Sequence, residues 1–244
     1  MSDPARADRT RASIPAGAVA LAALFVAALV TGQLLAVKVL ALPSPVAVPG
    51  AGSTLLVPAG VVAYALTFFA SDCYAELYGK RAAQVVVNVA FLTNFVWLGL
   101  LAVAIALPGS PAGVDPGAFA SVLAPSGNVV AGSLLAYLVS QNWDVVVFHR
   151  LREATGGEHL WLRNVASTAS SQLLDTVVFV AVTFSLAPLA LGVGERLPRA
   201  ALLALIVGQY VVKLSIAVLD TPLVYAAVRA ARGGASARRP TAGD

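Results

Sequence analysis

Seven ionisable side chains stand inside stretches otherwise built from Leu, Val, Ala and Phe: Lys38, Asp72, Glu76, Asp144, Asp175, Lys213 and Asp220. A charge near the centre of a bilayer costs at least about 2.5–3.5 kcal/mol, so such residues normally face a bundle interior or a wet cavity and mark a substrate or ion path. Helical spacing groups them with uncharged polar partners, because positions i, i+3, i+4 and i+7 share a side. Thr168, Ser171, Gln172 and Asp175 form one stripe, and Gln209, Lys213 and Asp220 a second. Gln141 and Asp144 form a third, and Gln84, Asn88 and Phe91 a fourth. Carboxylates and amides converging between helices would bind a small ligand that carries both donors and acceptors. Asp175 and Asp220, as two paired carboxylates, would instead serve an intramembrane aspartyl-type hydrolase. Lys213 argues against that second chemistry, since it supplies a counter-charge that a proton-sharing dyad does not need.

These residues need elements to hold them, and composition says where those elements lie. Of the 244 residues, 59% are apolar and 11% charged, with a mean hydropathy of +0.83. A soluble domain carries about a quarter charged residues, which excludes a soluble core, a nucleic-acid binder and a disordered chain. The partner is the lipid bilayer. One cysteine, Cys73, and two distant histidines, His149 and His159, offer no disulfide framework and no metal-ligand spacing, so neither metal nor cofactor is expected. A spanning helix takes roughly 20 apolar residues. Six stretches qualify, at about 16–40, 54–77, 82–107, 129–149, 165–188 and 200–228.

The expectation is an all-α integral membrane protein, a single transmembrane domain over 1–244 with six transmembrane helices. Residues 1–15 and 229–244 read as cytoplasmic tails. Residues 108–128, rich in Pro, Gly and Ser, read as an external loop holding a short helix around Gly117 to Leu123. Basic residues are held on the cytoplasmic side. Arg6, Arg9 and Arg11 precede span one, Lys80 and Arg81 join spans two and three, Arg150, Arg152 and Arg163 join four and five, and Arg229, Arg232, Arg238 and Arg239 follow six. Only Arg196 and Arg199 fall opposite, which places both termini in the cytoplasm of a multi-pass cell-membrane protein.

Counting along each span at about 1.5 Å per residue puts Asp175 and Asp220 at one level, roughly 12 Å deep, with Lys213 and Lys38 in the outer half. Packing alone is the competing explanation for the milder polar residues. Interhelical hydrogen bonds of about 0.6 kcal/mol would suffice for Asn88, Ser171 or Gln141. Asp72 and Glu76 lie near a helix end, where solvation competes with binding, and Glu76 precedes Lys80 by four residues, the favourable order for a helix ion pair.

Four local motifs together resemble a known family: SDCYAELYGKRAA (71–83), SLLAYLVSQNWDVVVFHRLR (133–152), HLWLRNVASTASSQLLDTVVF (159–179) and GQYVVKLSIAVLDTPLVY (208–225). The chain resembles the queuosine-precursor transporters, also called the putative vitamin uptake transporter family, from about Gln33 to Tyr225. The resemblance implies an importer of 7-deazaguanine bases, such as 7-cyano- or 7-aminomethyl-7-deazaguanine, for modified tRNA nucleosides. It also implies a fold similar to the substrate-binding subunits of energy-coupling-factor transporters. Substrate binding is then expected of Asp175, Gln172, Gln209, Lys213, Asp72, Asp144, Gln141 and Asn88, and coupling or gating of Asp220, Glu76 and Arg163. A guanine-like edge, with N–H donors beside a carbonyl, suits a carboxylate such as Asp175 and an amide such as Gln172 or Gln209. Trp97, Phe91 and Trp143 are candidates to cover the flat ring. The small-molecule substrate is one expected partner, and a second copy of the chain or an ATP-driven energising module is another. In the latter case the chain would be a vitamin-binding subunit of a larger machine, because it has no Gly-rich loop ending in Gly-Lys-Ser or Gly-Lys-Thr to bind ATP itself.

Overall fold

The computed structural model describes residues 14–156 and 158–237, with side chains as far as 233. Arg6, Arg9, Arg11, Arg238 and Arg239, which carry part of the orientation argument, lie outside the described residues, as do most of the 1–15 tail and the end of the 229–244 tail.

Helix α1 (Ala16–Leu35) is an uncharged apolar run that buries Ala18, Phe25, Ala28 and Gln33. A hairpin follows in place of more helix. Strands β1 (Val39–Val48) and β2 (Gly52–Pro58) pair antiparallel, from Val39 opposite Pro58 to Pro43 opposite Thr54, with an irregularity between Pro43 and Val48. Pro43 and Pro45 lack the N–H that both a helix and a regular ladder require. Gly50 and Gly52 close the turn at φ +83° and +67°, a region only glycine enters freely. The expected helical boundaries at 40 and 54 are therefore wrong, and Lys38 lies beyond α1, exposed beside the start of β1 rather than inside a span.

Helix α2 (Val61–Tyr78) and helix α3 (Lys80–Ala106) are joined by Gly79 alone, at φ +93°. That break ends the 3.6-residue repeat between Glu76 and Lys80, so the expected i,i+4 ion pair cannot form. Glu76 instead meets Arg232, whose Nη2 donates to the Glu76 backbone carbonyl at 3.0 Å and lies 4.0 Å from its carboxylate. Helix α4 (Pro116–Leu123) sits in the 108–128 connection, started by Asp115, which accepts a hydrogen bond from the Ala118 N–H at 2.8 Å, and by a proline in its first turn.

Helix α5 (Ser126–Ala154) packs along helix α6 (Leu160–Ala181). Trp161-Leu162-Arg163-Asn164, read from sequence as a loop, forms the first turns of α6. A π-helical segment, Val182–Leu186, follows and leads into α7 (Ala187–Leu191). Pro188 has no N–H for the carbonyl of Phe184 four residues back. The Leu197 N–H takes that carbonyl at 3.0 Å, which draws the 192–198 connection back against α6. Helix α8 (Arg199–Ala237) is 39 residues long, about 58 Å, and runs on through 229–237, well past the expected end of the sixth span.

Close backbone contacts lock these elements. A Cβ on Gly208 of α8 would collide with the Leu56 carbonyl of β2, and one on Gly60 would sit 2.5 Å from the Gly32 carbonyl of α1. One apolar cluster joins Ala36, Val129, Ala136, Phe179, Phe184 and Leu205 across α1, α5, α6, the π segment and α8. Outside, the polarity is inverted. Val85, Val89, Leu92, Val96, Leu100 and Val103 of α3 are exposed, while Gln33, Asn94, Gln209, Lys213 and Asp220 are buried. Lipid is the solvent that such a surface requires. Among the described residues, five helical stretches are long and apolar enough to cross a bilayer, and α2, with 18 residues and two carboxylates, is the sixth long helix. The fold is an all-α integral membrane bundle with one hairpin.

Candidate functional site

Three charged or amide side chains define the interior. Lys213 Nζ of α8 donates to Asp175 Oδ2 of α6 at 2.6 Å, with side-chain exposures of 5% and 19%. The ammonium also lies 4.9 Å from the centre of the Tyr64 ring on α2. The second Asp175 oxygen accepts from Ser140 of α5 at 3.4 Å. Gln209, one turn before Lys213 on the same buried face of α8, keeps its Oε1 buried without a donor among the described residues.

These groups border a cavity of about 150 Å³ at the meeting of α1, α2, α3, α5, α6 and α8, which Pro58 of β2 also touches. Asp175, Lys213, Gln209 and Gln33 supply its strongest polar groups, Tyr64, Phe91 and Tyr137 its aromatic wall, and Ala28, Val129, Ala136 and Phe179 an apolar wall. Phe91 and Tyr137 stack at 4.5 Å with their planes 33° apart, and the Tyr137 hydroxyl is held by Gln84 Nε2 at 2.9 Å. Gln33 accepts from Ser133 at 3.2 Å. An engineered apolar cavity of roughly this volume holds benzene. The space suits a small planar ring system.

The sequence-derived candidates separate into groups. Asp175, Gln209 and Lys213 meet at the cavity, joined by Phe91 of the aromatic candidates. Gln172 is half-buried on α6 with its Oε1 unpartnered among the described residues, and it is not part of the cavity wall. Asp144 accepts from Ser171 at 3.2 Å, tying α5 to α6, and is not part of the cavity wall. Asn88 is exposed and accepts from Gln84 at 3.0 Å, and Gln141 is exposed on α5. Trp143 is exposed and donates to Ser170 at 3.2 Å, and neither it nor Trp97 lines the cavity. Asp72 interacts electrostatically with both Asp220 and Glu76, beside Cys73 and away from the cavity wall. Arg163 is buried, its guanidinium 5.4 Å from the centre of the Phe148 ring.

The expected common level of Asp175 and Asp220 does not hold. Asp175 meets Lys213, and Asp220 lies seven residues further along α8, about 10 Å along the axis. The count from span ends failed because α6 begins at Leu160 and α8 ends at Ala237, both well outside the assumed limits. A proton-sharing pair of Asp175 with Asp220 is accordingly not built. The inferred separation of inner carboxylates from outer amines fails at the same place.

Residues missed in the sequence are Gln33, Tyr64, Thr67, Ser133 and Tyr137. Gln33 had a usable signal, a lone amide in the apolar α1, whereas tyrosines in a membrane chain are as often interface anchors.

Comparison with known proteins extends over most of these elements. A family model described as Putative vitamin uptake transporter matches residues 58–227, from the end of β2 into α8. A protein of Bacillus subtilis (strain 168) named "Probable queuosine precursor transporter" is 35% identical over 173 residues, which cover 69% of this chain and 70% of that protein. No solved structure matches the chain significantly.

Proposed function

Since the chain belongs to the putative vitamin uptake transporter family, we propose that it imports 7-deazaguanine bases, precursors of modified tRNA nucleosides, by binding them in the cavity between α6 and α8. Membership makes it a multi-pass membrane transporter, surrounded by lipid and acting on a small-molecule substrate. The base itself, the site residues and an orientation with both termini in the cytoplasm are the finer reading. So is kinship with the binding subunits of energy-coupling-factor transporters.

The observation that carries the reading is the cavity's combination of a hydrogen-bonding cluster with an aromatic wall. A guanine-type edge presents adjacent N–H donors beside a carbonyl. Asp175 Oδ1, held only by a long bond from Ser140, has acceptor capacity to spare, and so does the Gln209 carbonyl. Lys213 holds the carboxylate in place and can donate to the ring carbonyl. Tyr64 and the Phe91 and Tyr137 pair offer faces for the flat base, where stacking contributes about 1–3 kcal/mol per base in nucleic-acid binders.

Uptake of labelled 7-deazaguanine bases into cells lacking endogenous import tests this. Asp175→Asn should abolish uptake while the protein stays in the membrane at its normal level, and undiminished uptake would remove the site assignment. Transport by the purified protein in liposomes with no ATPase present would exclude the reading as one subunit of an ATP-driven machine.

A further inference from the structure

The end of the bundle that carries the hairpin is closed by two pieces of chain of different stiffness. The hairpin is the stiff one. Its strands pair with each other, the Ala59 N–H donates to the Lys38 carbonyl at 2.7 Å across its base, and Leu56 of β2 lies close against Gly208 of α8. The connection between α7 and α8, 192–198, is the soft one. It has no regular structure, and Gly192 and Gly194 stand at φ +66° and +78°, where glycine turns freely. Beyond the helix ends themselves, three hydrogen bonds among the described residues tie this strap to the bundle. Asn128 Nδ2 of α5 donates to the Val193 carbonyl at 2.7 Å, the Leu197 N–H to the Phe184 carbonyl at 3.0 Å, and Arg196 Nη2 to the Ser185 hydroxyl at 3.5 Å. Two of the three end on the π-helical segment, a rare form that recurs at functional sites.

The strap closes on the cavity. Leu197 packs into the apolar cluster whose members Ala36, Val129, Ala136 and Phe179 are also cavity wall. Phe179 meets Phe184 edge-on with ring centres 6.2 Å apart, and Phe184 holds Leu197 through its carbonyl. The closed arrangement leaves polar groups unsatisfied. Ser126 Oγ and Asn128 Oδ1, at the foot of the strap on α5, are buried without a partner among the described residues, and water entering on opening would hydrate both and lower the cost of opening. From these features we infer that the 192–198 strap is the gate of the cavity at this end, withdrawing Leu197 from the cluster while the hairpin stays seated on α8. The inference rests on the function proposed above only in that a transported base must pass the gate. The motion itself belongs to the free protein.

A cysteine pair tests the gate. A Cβ on Gly194 would stand 3.7 Å from the Pro125 Cβ, a separation that a disulfide bridges, so Pro125→Cys/Gly194→Cys in a Cys73→Ser background pins the strap to α5 when oxidised and frees it when reduced. A control pair, Gly50→Cys/Val207→Cys, pins the hairpin to α8, since a Cβ on Gly50 would lie 3.3 Å from a Val207 methyl carbon. Each pair is compared with itself, oxidised against reduced, so the strain of a side chain at φ +78° or +83° cancels. Uptake of labelled 7-deazaguanine bases should fall at least about tenfold when the strap pair is oxidised and return on reduction, and should stay within about twofold for the hairpin pair in either state. Undiminished uptake with the strap pinned, or loss of uptake with the hairpin pinned, would overturn the inference. Amide exchange on the unmodified protein in detergent needs no substrate. There the Leu197 N–H should exchange at least about a hundredfold faster than the Ala59 N–H at the base of the hairpin. Equal protection of the two would overturn the gate and leave the proposed function standing. Uptake of no base by the parent protein would overturn that function, and exchange would still decide the gate.

Discussion

Breaking the Lys213–Asp175 pair from either side should cost a similar amount of stability, and breaking it from both sides at once should restore most of that loss. The two groups meet at 2.6 Å with 5% and 19% of their side chains exposed. Removing one partner of a buried pair typically costs about 3–5 kcal/mol, because the other charge is stranded. Asp175→Leu leaves the Lys213 ammonium with Tyr64, whose ring contributes about 2 kcal/mol when desolvated, so the loss falls near 3 kcal/mol. Lys213→Met leaves Asp175 with Ser140 and partial exposure, and about 3 kcal/mol is again the expected loss. The double variant Asp175→Leu/Lys213→Met strands nothing and should return to within about 1 kcal/mol of the parent, or exceed it. Reversible unfolding in mixed micelles measures the cycle, whose coupling energy, from those losses, should be about 5 kcal/mol or more. The double variant should be stable and still fail to bind the base, which separates holding the fold from holding the ligand. A coupling energy below about 1 kcal/mol would refute the claim that the two residues form one buried unit.

Three further variants probe the scaffold. Gly208→Val places side-chain atoms against the Leu56 carbonyl, so the hairpin should detach from α8, seen as a lower melting temperature and new protease cleavage within 39–58. Asn94 is fully buried in α3 with neither end of its amide bonded among the described residues, and Asn94→Leu should raise stability by about 1–3 kcal/mol. A loss of stability there would mean that the amide is bonded in the folded protein. Asp115→Ala removes the cap of α4 and should cost about 1 kcal/mol, read as faster amide exchange in 116–123 with ligand binding unchanged.

What the sequence disclosed follows from what each residue costs. Lys213, Asp175 and Gln209 were legible because a charge or amide in an apolar run is expensive wherever its helix is placed, and helical spacing then assigned each to a face. Lys213 was legible as a counter-charge for Asp175 as well, but the level at which the two meet was not. It depends on how far α6 and α8 slide past one another, and that is set by helix ends and by contacts between distant segments. The extra turns of α6 from Leu160 and of α8 to Ala237 carry too many polar and basic residues to count as span by hydropathy, yet they are helical and shift every depth measured from them. The hairpin was hidden for the opposite reason. Val39–Leu42 and Leu55–Val57 are as apolar as the helices they join, so composition continues smoothly through a change of backbone. Only Pro43, Pro45 and the glycines at 50 and 52 mark it, and they mark a break in helix without saying that the two arms pair. The seat for β2 on α8 exists because position 208 has no side chain, and that glycine reads from sequence as one small residue among many. Residue chemistry is thus local and visible in the sequence. The cavity is a matter of register between helices, and it falls where Gly32, Gly60 and Gly208 let backbones close on one another beside Asp175 and Lys213.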